Sequence, residues 1–168
     1  MAKEVISVAL AGNPNVGKSV IFNSLTGGHQ RVGNWPGKTV EKKEGFFYHR
    51  GYKVHVIDLP GIYSLTPYSP EELIARSYII EERPDVVVNV IDASNLERNL
   101  YLTIQLMELD VKLIVDLNKM DLARSMDNKI DAKRLEELLG VPVVVTIAPK
   151  GLGINELKDK ILEVALGR

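Results

Sequence analysis

The chain has 168 residues, 45% of them hydrophobic, which suits one globular domain with a single core and is too short for two of ordinary size. Its 21 basic and 22 acidic residues are spread along the sequence and leave a formal charge of −1, so no electrostatic footprint for nucleic acid or an anionic membrane is visible. Cysteine is absent, which excludes disulfides, thiolate metal sites and a cysteine nucleophile, and fits a reducing, cytoplasmic setting.

In chain order, residues 1–5 run directly into a strand-like segment without a long apolar stretch and cleavage site, so no signal peptide is read there. Strands are expected at 5–11, 54–58, 86–92, 112–117 and 141–146. Each leads to a helical stretch, at 19–26, 70–82, 96–109, 132–139 and 154–166 in turn. The exception is 44–52, where Phe46-Phe47-Tyr48 and Val54-His55-Val56 flank a turn at His49-Arg50-Gly51 and predict an antiparallel hairpin at the sheet edge. Residues 27–38, with Gly, Pro, Asn and His and no periodicity, read as a long functional loop, and 61–69 as a second. The cluster Glu41-Lys42-Lys43-Glu44 reads as a solvated strand edge. The whole predicts an α/β fold with a mostly parallel six-stranded sheet, one antiparallel edge strand and helices on both faces. The apolar runs Val86-Val87-Val88 and Leu113-Ile114-Val115 are broken by Asn89, Asp92 and Asp116, far short of the roughly 20 residues of a membrane helix.

Gly12-Asn13-Pro14-Asn15-Val16-Gly17-Lys18-Ser19 fits the GxxxxGK[ST] pattern between a predicted strand and helix. Its glycines let backbone N–H groups curl around phosphate, Lys18 is placed for the β- and γ-phosphates, and the Ser19 hydroxyl is a Mg²⁺ ligand. Asp58-Leu59-Pro60-Gly61 ends a strand at the sheet's carboxyl edge. Asp58 would hold Mg²⁺ through water, and the Gly61 N–H would detect a γ-phosphate and order the loop behind it. Asn118-Lys119-Met120-Asp121 follows another strand and selects the base. The Asp121 carboxylate matches N1–H and the 2-amino group of guanine, which adenine lacks, while Asn118 and Lys119 brace the pocket against the phosphate loop. Thr39, in Gly37-Lys38-Thr39, is the candidate second protein ligand to Mg²⁺, with a plain β-former at a strand start as the alternative.

With these motifs the sequence resembles the TRAFAC class of P-loop GTPases, with their Ras-like fold, and within it the N-terminal G domain of the ferrous iron transport protein B (FeoB) family. The residues that carry the likeness are 32–45, which resemble that family's switch I, Asp58-Leu59-Pro60-Gly61-Ile62-Tyr63-Ser64-Leu65, which resembles its switch II, and Glu97-Arg98-Asn99-Leu100-Tyr101-Leu102 with Gln105-Leu106. The resemblance implies GTP hydrolysis, slow because Ile62 stands where many small GTPases carry a water-orienting glutamine. It also implies activation by K⁺ held by Asn15 and the carbonyls of Gly33 and Trp35, so Lys18, Asn15, Thr39 and Gly61 become the catalytic candidates. Asn15 as a mere brace of the turn is the alternative.

The likeness further implies that residues 1–168 are a single G domain excised from a larger membrane protein at the cytoplasmic face. That protein would continue into helical regulatory and membrane regions, would couple the switch to Fe²⁺ uptake, and could oligomerise. Three positions depart from the family pattern. Thr146-Ile147-Ala148 keeps the alanine whose N–H would meet guanine O6 but loses the usual serine, Asp116 puts a charge in a buried strand, and Lys38 replaces an apolar residue. His29, His49 and His55 lack metal-ligand spacing. A GTP/GDP sensor with negligible turnover and a ribosome- or RNA-associated GTPase of the same class are the competing readings, the latter without its usual basic patch.

Overall fold

The computed structural model describes residues 5–168; the lead-in expected at residues 1–4 lies outside them. The chain forms β1 (Val5–Gly12), α1 (Lys18–Thr26), β2 (Gln30–Asn34), β3 (Glu41–His49), β4 (Tyr52–Asp58), α2 (Pro70–Glu82), β5 (Val86–Asp92) and α3 (Leu96–Glu108). It continues with β6 (Leu113–Asn118), α4 (Met120–Ser125), α5 (Ala132–Leu139), β7 (Val143–Val145) and α6 (Ile154–Leu166). The strands make one sheet in the order β2-β3-β4-β1-β5-β6-β7. β4, β1, β5, β6 and β7 run parallel to one another, while β3 pairs antiparallel with both β2 and β4.

The sheet has seven strands rather than six. The extra one is β2, inside the segment expected to be a continuous loop, and its pairing with β3 forms the antiparallel edge. All five of its residues are exposed, so no apolar alternation marks it. Covering β3 in this way also removes the cluster beginning at Glu41 from the sheet's outer edge.

The strand sequences explain the layers. Side chains alternate across a strand, so Ile6, Val8, Leu10, Val88 and Val90 pack with Ile21 and Phe22 of α1 and Leu157 and Ile161 of α6. Ala9, Ala11, Ile57 and Val87 pack on the opposite face with Ala75 and Ile79 of α2 and Leu102 of α3. Farther along that face, Ile91, Val115 and Leu117 lie under Ala123 of α4 and Leu135 of α5. Helices on both faces leave the sheet's carboxyl edge open, where β1, β4, β6 and β7 hand over to loops.

Candidate nucleotide site at the sheet edge

β1 ends at Gly12, and the chain turns back to start α1 at Lys18. Asn15 (φ 65°) and Gly17 (φ 89°) make the turn in the left-handed region, which asparagine and glycine tolerate. Gly17 has no space for a side chain either, since a Cβ there would stand 2.3 Å from Asn118 Nδ2. The turn delivers the free N–H groups of α1 to the edge of the sheet, a favourable place for an anion. Asn15 and Ser19 are exposed there, whereas Asn13 is buried and its Oδ1 has no partner among the described residues.

Lys18 is buried and ion-pairs with Asp58 Oδ1, and it also donates to the Leu59 carbonyl at 2.6 Å. The two residues read as phosphate and magnesium contacts are thus paired with each other, and Lys18 must leave Asp58 to reach a phosphate. The turn after β4 is docked on the phosphate loop. Leu59 N–H donates to Leu10 O and Ile62 N–H to Gly12 O, both at 3.0 Å, and a Cβ on Gly61 would stand 3.2 Å from Pro14 Cα. Ile62 is buried in the α2–α3 cluster and presents nothing that can orient water. Farther along the loop, Leu65 N–H donates to Gln105 Oε1 of α3 at 2.7 Å, a tie for which the sequence offered only a polar residue on a helix.

β6 ends in the N-K-M-D motif. Asn118 Nδ2 donates to Val16 O at 2.9 Å and Lys119 Nζ to Asn15 O at 2.8 Å, so two consecutive side chains clamp the phosphate loop. Lys119 is left-handed (φ 63°) and starts α4, where Met120 is buried and Asp121 is exposed in the first turn. Beyond β7, Thr146 is buried, Ile147 half-buried, and the Ala148 N–H, read as a donor to guanine O6, is given to Asn118 Oδ1 at 3.1 Å. Asp116 is fully buried on the α1–α6 face, hydrogen-bonded to Thr146.

Gly33, Trp35, Gly37, Lys38 and Thr39 are not joined to the phosphate loop by any hydrogen bond among the described residues. Gly33 sits in β2 opposite Lys42. The Trp35 carbonyl, read as a K⁺ ligand, accepts from Lys38 N–H at 3.0 Å, and the Trp35 N–H donates to Val40 O at 2.9 Å. The indole is buried against α2, edge-on to Tyr78 at 5.7 Å, with Lys42 Nζ 4.9 Å from its ring centre. Burial, with Glu82 and Glu44 nearby, pushes the Tyr78 hydroxyl up to about 12. Thr39 is exposed. The histidines are scattered: His29 stacks on Phe46, His49 Nε2 lies 2.7 Å from Asp159 Oδ1, and His55 Nε2 lies 3.5 Å from Glu44 Oε2.

A phosphate loop clamped by an N-K-x-D strand end, with a D-x-x-G turn docked beside it, is the arrangement of a G domain of the P-loop GTPase class. The family model "Ferrous iron transport protein B" matches residues 6–161. The Fe(2+) transporter FeoB of Salmonella typhimurium is 50% identical over 157 residues, covering 91% of this chain and 20% of the relative. The Fe(2+) transport protein A/Fe(2+) transporter FeoB fusion protein of Porphyromonas gingivalis is 52% identical over 165 residues, 98% of this chain and 20% of that one. The chain thus spans about one fifth of the length of these curated relatives. Among solved structures, the FeoB G-domain from Methanococcus jannaschii superposes with a TM-score of 0.87 at 54% identity, covering 97% of this chain and 99% of that one. A GDP-bound mutant of S. thermophilus NFeoB gives 0.90 at 47%, covering 95% and 62%. The chain belongs to the FeoB family, as its N-terminal G domain.

Proposed function

We propose that this domain binds GTP and GDP with Mg²⁺ and hydrolyses GTP slowly, as the cytoplasmic switch of an Fe²⁺ transporter. The observation that carries the reading is the clamp of Asn118 on Val16 and Lys119 on Asn15. It makes the base-reading strand end and the phosphate loop one rigid unit, so a single ligand must satisfy both. Asp121 then rejects adenine, whose N1 is an acceptor, because the carboxylate would be left unpaired. The GDP-bound NFeoB relative supports the same ligand class.

Ser19, Thr39 and Asp58 offer hydroxyl and carboxylate oxygens, the hard donors that magnesium prefers, and Asp58 already stands beside a cation in Lys18. Mg²⁺ held by these residues would supply positive charge to offset that of the nucleotide phosphates. Lys18 turns from Asp58 to the phosphates, and the Gly61 N–H reports the γ-phosphate to the loop that Gln105 ties to α3. Asn15 with the carbonyls of Gly33 and Trp35 supplies neutral oxygens suited to K⁺, provided that switch I leaves its turn on α2. K⁺ beside the β–γ bridge would offset the charge that develops in transfer. In the whole protein, the single G domain of residues 1–168 is followed by helical and membrane regions through which its nucleotide state governs Fe²⁺ passage and any self-association.

GTP turnover in KCl and NaCl at equal ionic strength, with wild type and Asn15→Ala, tests this. A faster rate in K⁺ that disappears in the variant is expected. Equal slow rates with intact GTP binding would leave the GTP/GDP sensor reading; the buried Ile62 suits slow chemistry and does not separate the two. Absence of guanine-nucleotide binding would remove both.

A further inference from the structure

Asp116 is a carboxylic acid with no exposed surface, and the nucleotide chemistry above makes no use of it. Its Oδ1 is within hydrogen-bond reach of Thr146 Oγ1, and its Oδ2 is buried with no partner among the described residues. Among the described residues no charged group acts on it: Val90 of β5 and Val144 of β7 are its register neighbours, and both belong to the apolar cluster that Ile21 of α1 and Leu157 of α6 also fill. Lys18, the buried cation of that end of α1, is committed to Asp58. A buried carboxylate with one oxygen unpaired and no cation beside it is costly, so the neutral acid is the form that fits.

Hydrogen counting leads to the same form. Thr146 Oγ1 is within bonding distance of both Asp116 Oδ1 and Asn118 Oδ1, the latter at 3.1 Å, but a hydroxyl has one proton to give. If Asp116 is ionised, the charge-assisted bond to it wins and Asn118 Oδ1 keeps only the Ala148 N–H. If Asp116 is protonated, it donates to Thr146, and Thr146 donates to Asn118. Gly153 packs close against Thr146, and a Cβ there would stand 3.0 Å from Thr146 Cγ2, so glycine leaves the room that the threonine side chain occupies.

We propose that Asp116 is a positioning residue for nucleotide binding: as the neutral acid it directs the Thr146 hydroxyl onto Asn118 and so fixes the amide that joins the base loop to the phosphate loop. The proposal rests on the guanine-nucleotide reading of the site. Burial pushes the Asp116 carboxyl up to about 7, against a smaller opposing pull from the Thr146 hydrogen bond, so the relay is intact in mildly acidic solution and lost in alkaline solution. Asparagine at this position is a permanent copy of the neutral acid, because its NH₂ donates to Thr146 at every pH.

The test is mant-GDP affinity with Mg²⁺ at about pH 6 and about pH 8.5, for wild type, Asp116→Asn and Thr146→Val. Titration of the nucleotide phosphates cancels in the ratio of wild type to variant. Wild type and Asp116→Asn should bind alike at the lower pH, and wild type should fall behind by about fivefold or more at the higher. Thr146→Val should bind weakly at both, without the wild-type loss. A wild-type to Asp116→Asn ratio that stays constant across the range overturns the proposal, as does a Thr146→Val variant that keeps the wild-type profile. If Asp116→Asn does not fold, the Asp116 carboxyl ¹³C shift of the wild type decides, and ionisation below about pH 5 overturns the proposal. No mant-GDP binding by any form, wild type included, is instead the failure of the nucleotide reading.

Discussion

Asp116 also affects the fold on its own account. Burial pushes its carboxyl up to about 7 in the fold, from about 4 in the unfolded chain, so between those values the folded state holds the extra proton. The contribution to stability is complete below about pH 4 and is lost as pH rises through about 7, with a slope of up to about 1.4 kcal/mol per pH unit. Urea denaturation at several pH values between about 5 and 8 should show a steeper loss for wild type than for Asp116→Asn. Equal slopes would mean that the carboxyl is ionised in the fold. The sequence shows Asp116 as a charge in a strand covered on both faces, but not its partner. Thr146 lies 30 positions later and reaches Asp116 only through the register of β6 with β7. The phosphate loop and the N-K-M-D motif were legible because each is a contiguous string whose chemistry fixes its spacing, and the bonds between them were legible only as a general bracing.

At the level of elements, the parallel strands and their helices follow directly from runs such as Val86–Asp92, buried along almost its whole length. β2 was hidden because hydrogen bonding to β3, rather than apolar periodicity, holds it, and α4 because its six residues are too few to show a helical period. The segment after β2 has its own reporter in Trp35, the chain's single tryptophan, which is only 8% exposed. If switch I leaves α2 when a γ-phosphate is bound, that ring loses Tyr78 and meets water. Adding a non-hydrolysable GTP analogue with Mg²⁺ should then shift Trp35 emission to longer wavelength and increase its quenching by acrylamide, and GDP should do neither. Identical spectra with both nucleotides would show that the turn stays on α2.

For the molecule as a whole, the loops that follow β1, β4, β6 and β7 are fixed to one another across a single sheet, so a ligand that spans them stabilises the domain as a unit. A ligand at about 100 times its Kd adds about 2.7 kcal/mol, worth roughly 5–10 °C in Tm for a domain of this size. GDP with Mg²⁺ should produce such a shift in a thermal melt, ADP should not, and Asp121→Ala should lose the response to GDP while keeping the starting Tm. A similar rise with ADP would count against base selection by Asp121.

The ion pair between Lys18 and Asp58 has a consequence for how the ligand arrives. Before binding, the phosphate end of the site carries its own counter-ion and is close to electrically neutral, so it is no strong long-range attractor of anions. Were Lys18 to turn to incoming phosphates as proposed, Asp58 would be left as a bare carboxylate facing more negative charge, and a cation brought with the nucleotide would suit the vacated place. If the domain binds nucleotide with a divalent ion as proposed, the two would enter by exchange, an external cation for an internal one, and chelating the metal would let Lys18 return to Asp58 and would favour release of the nucleotide.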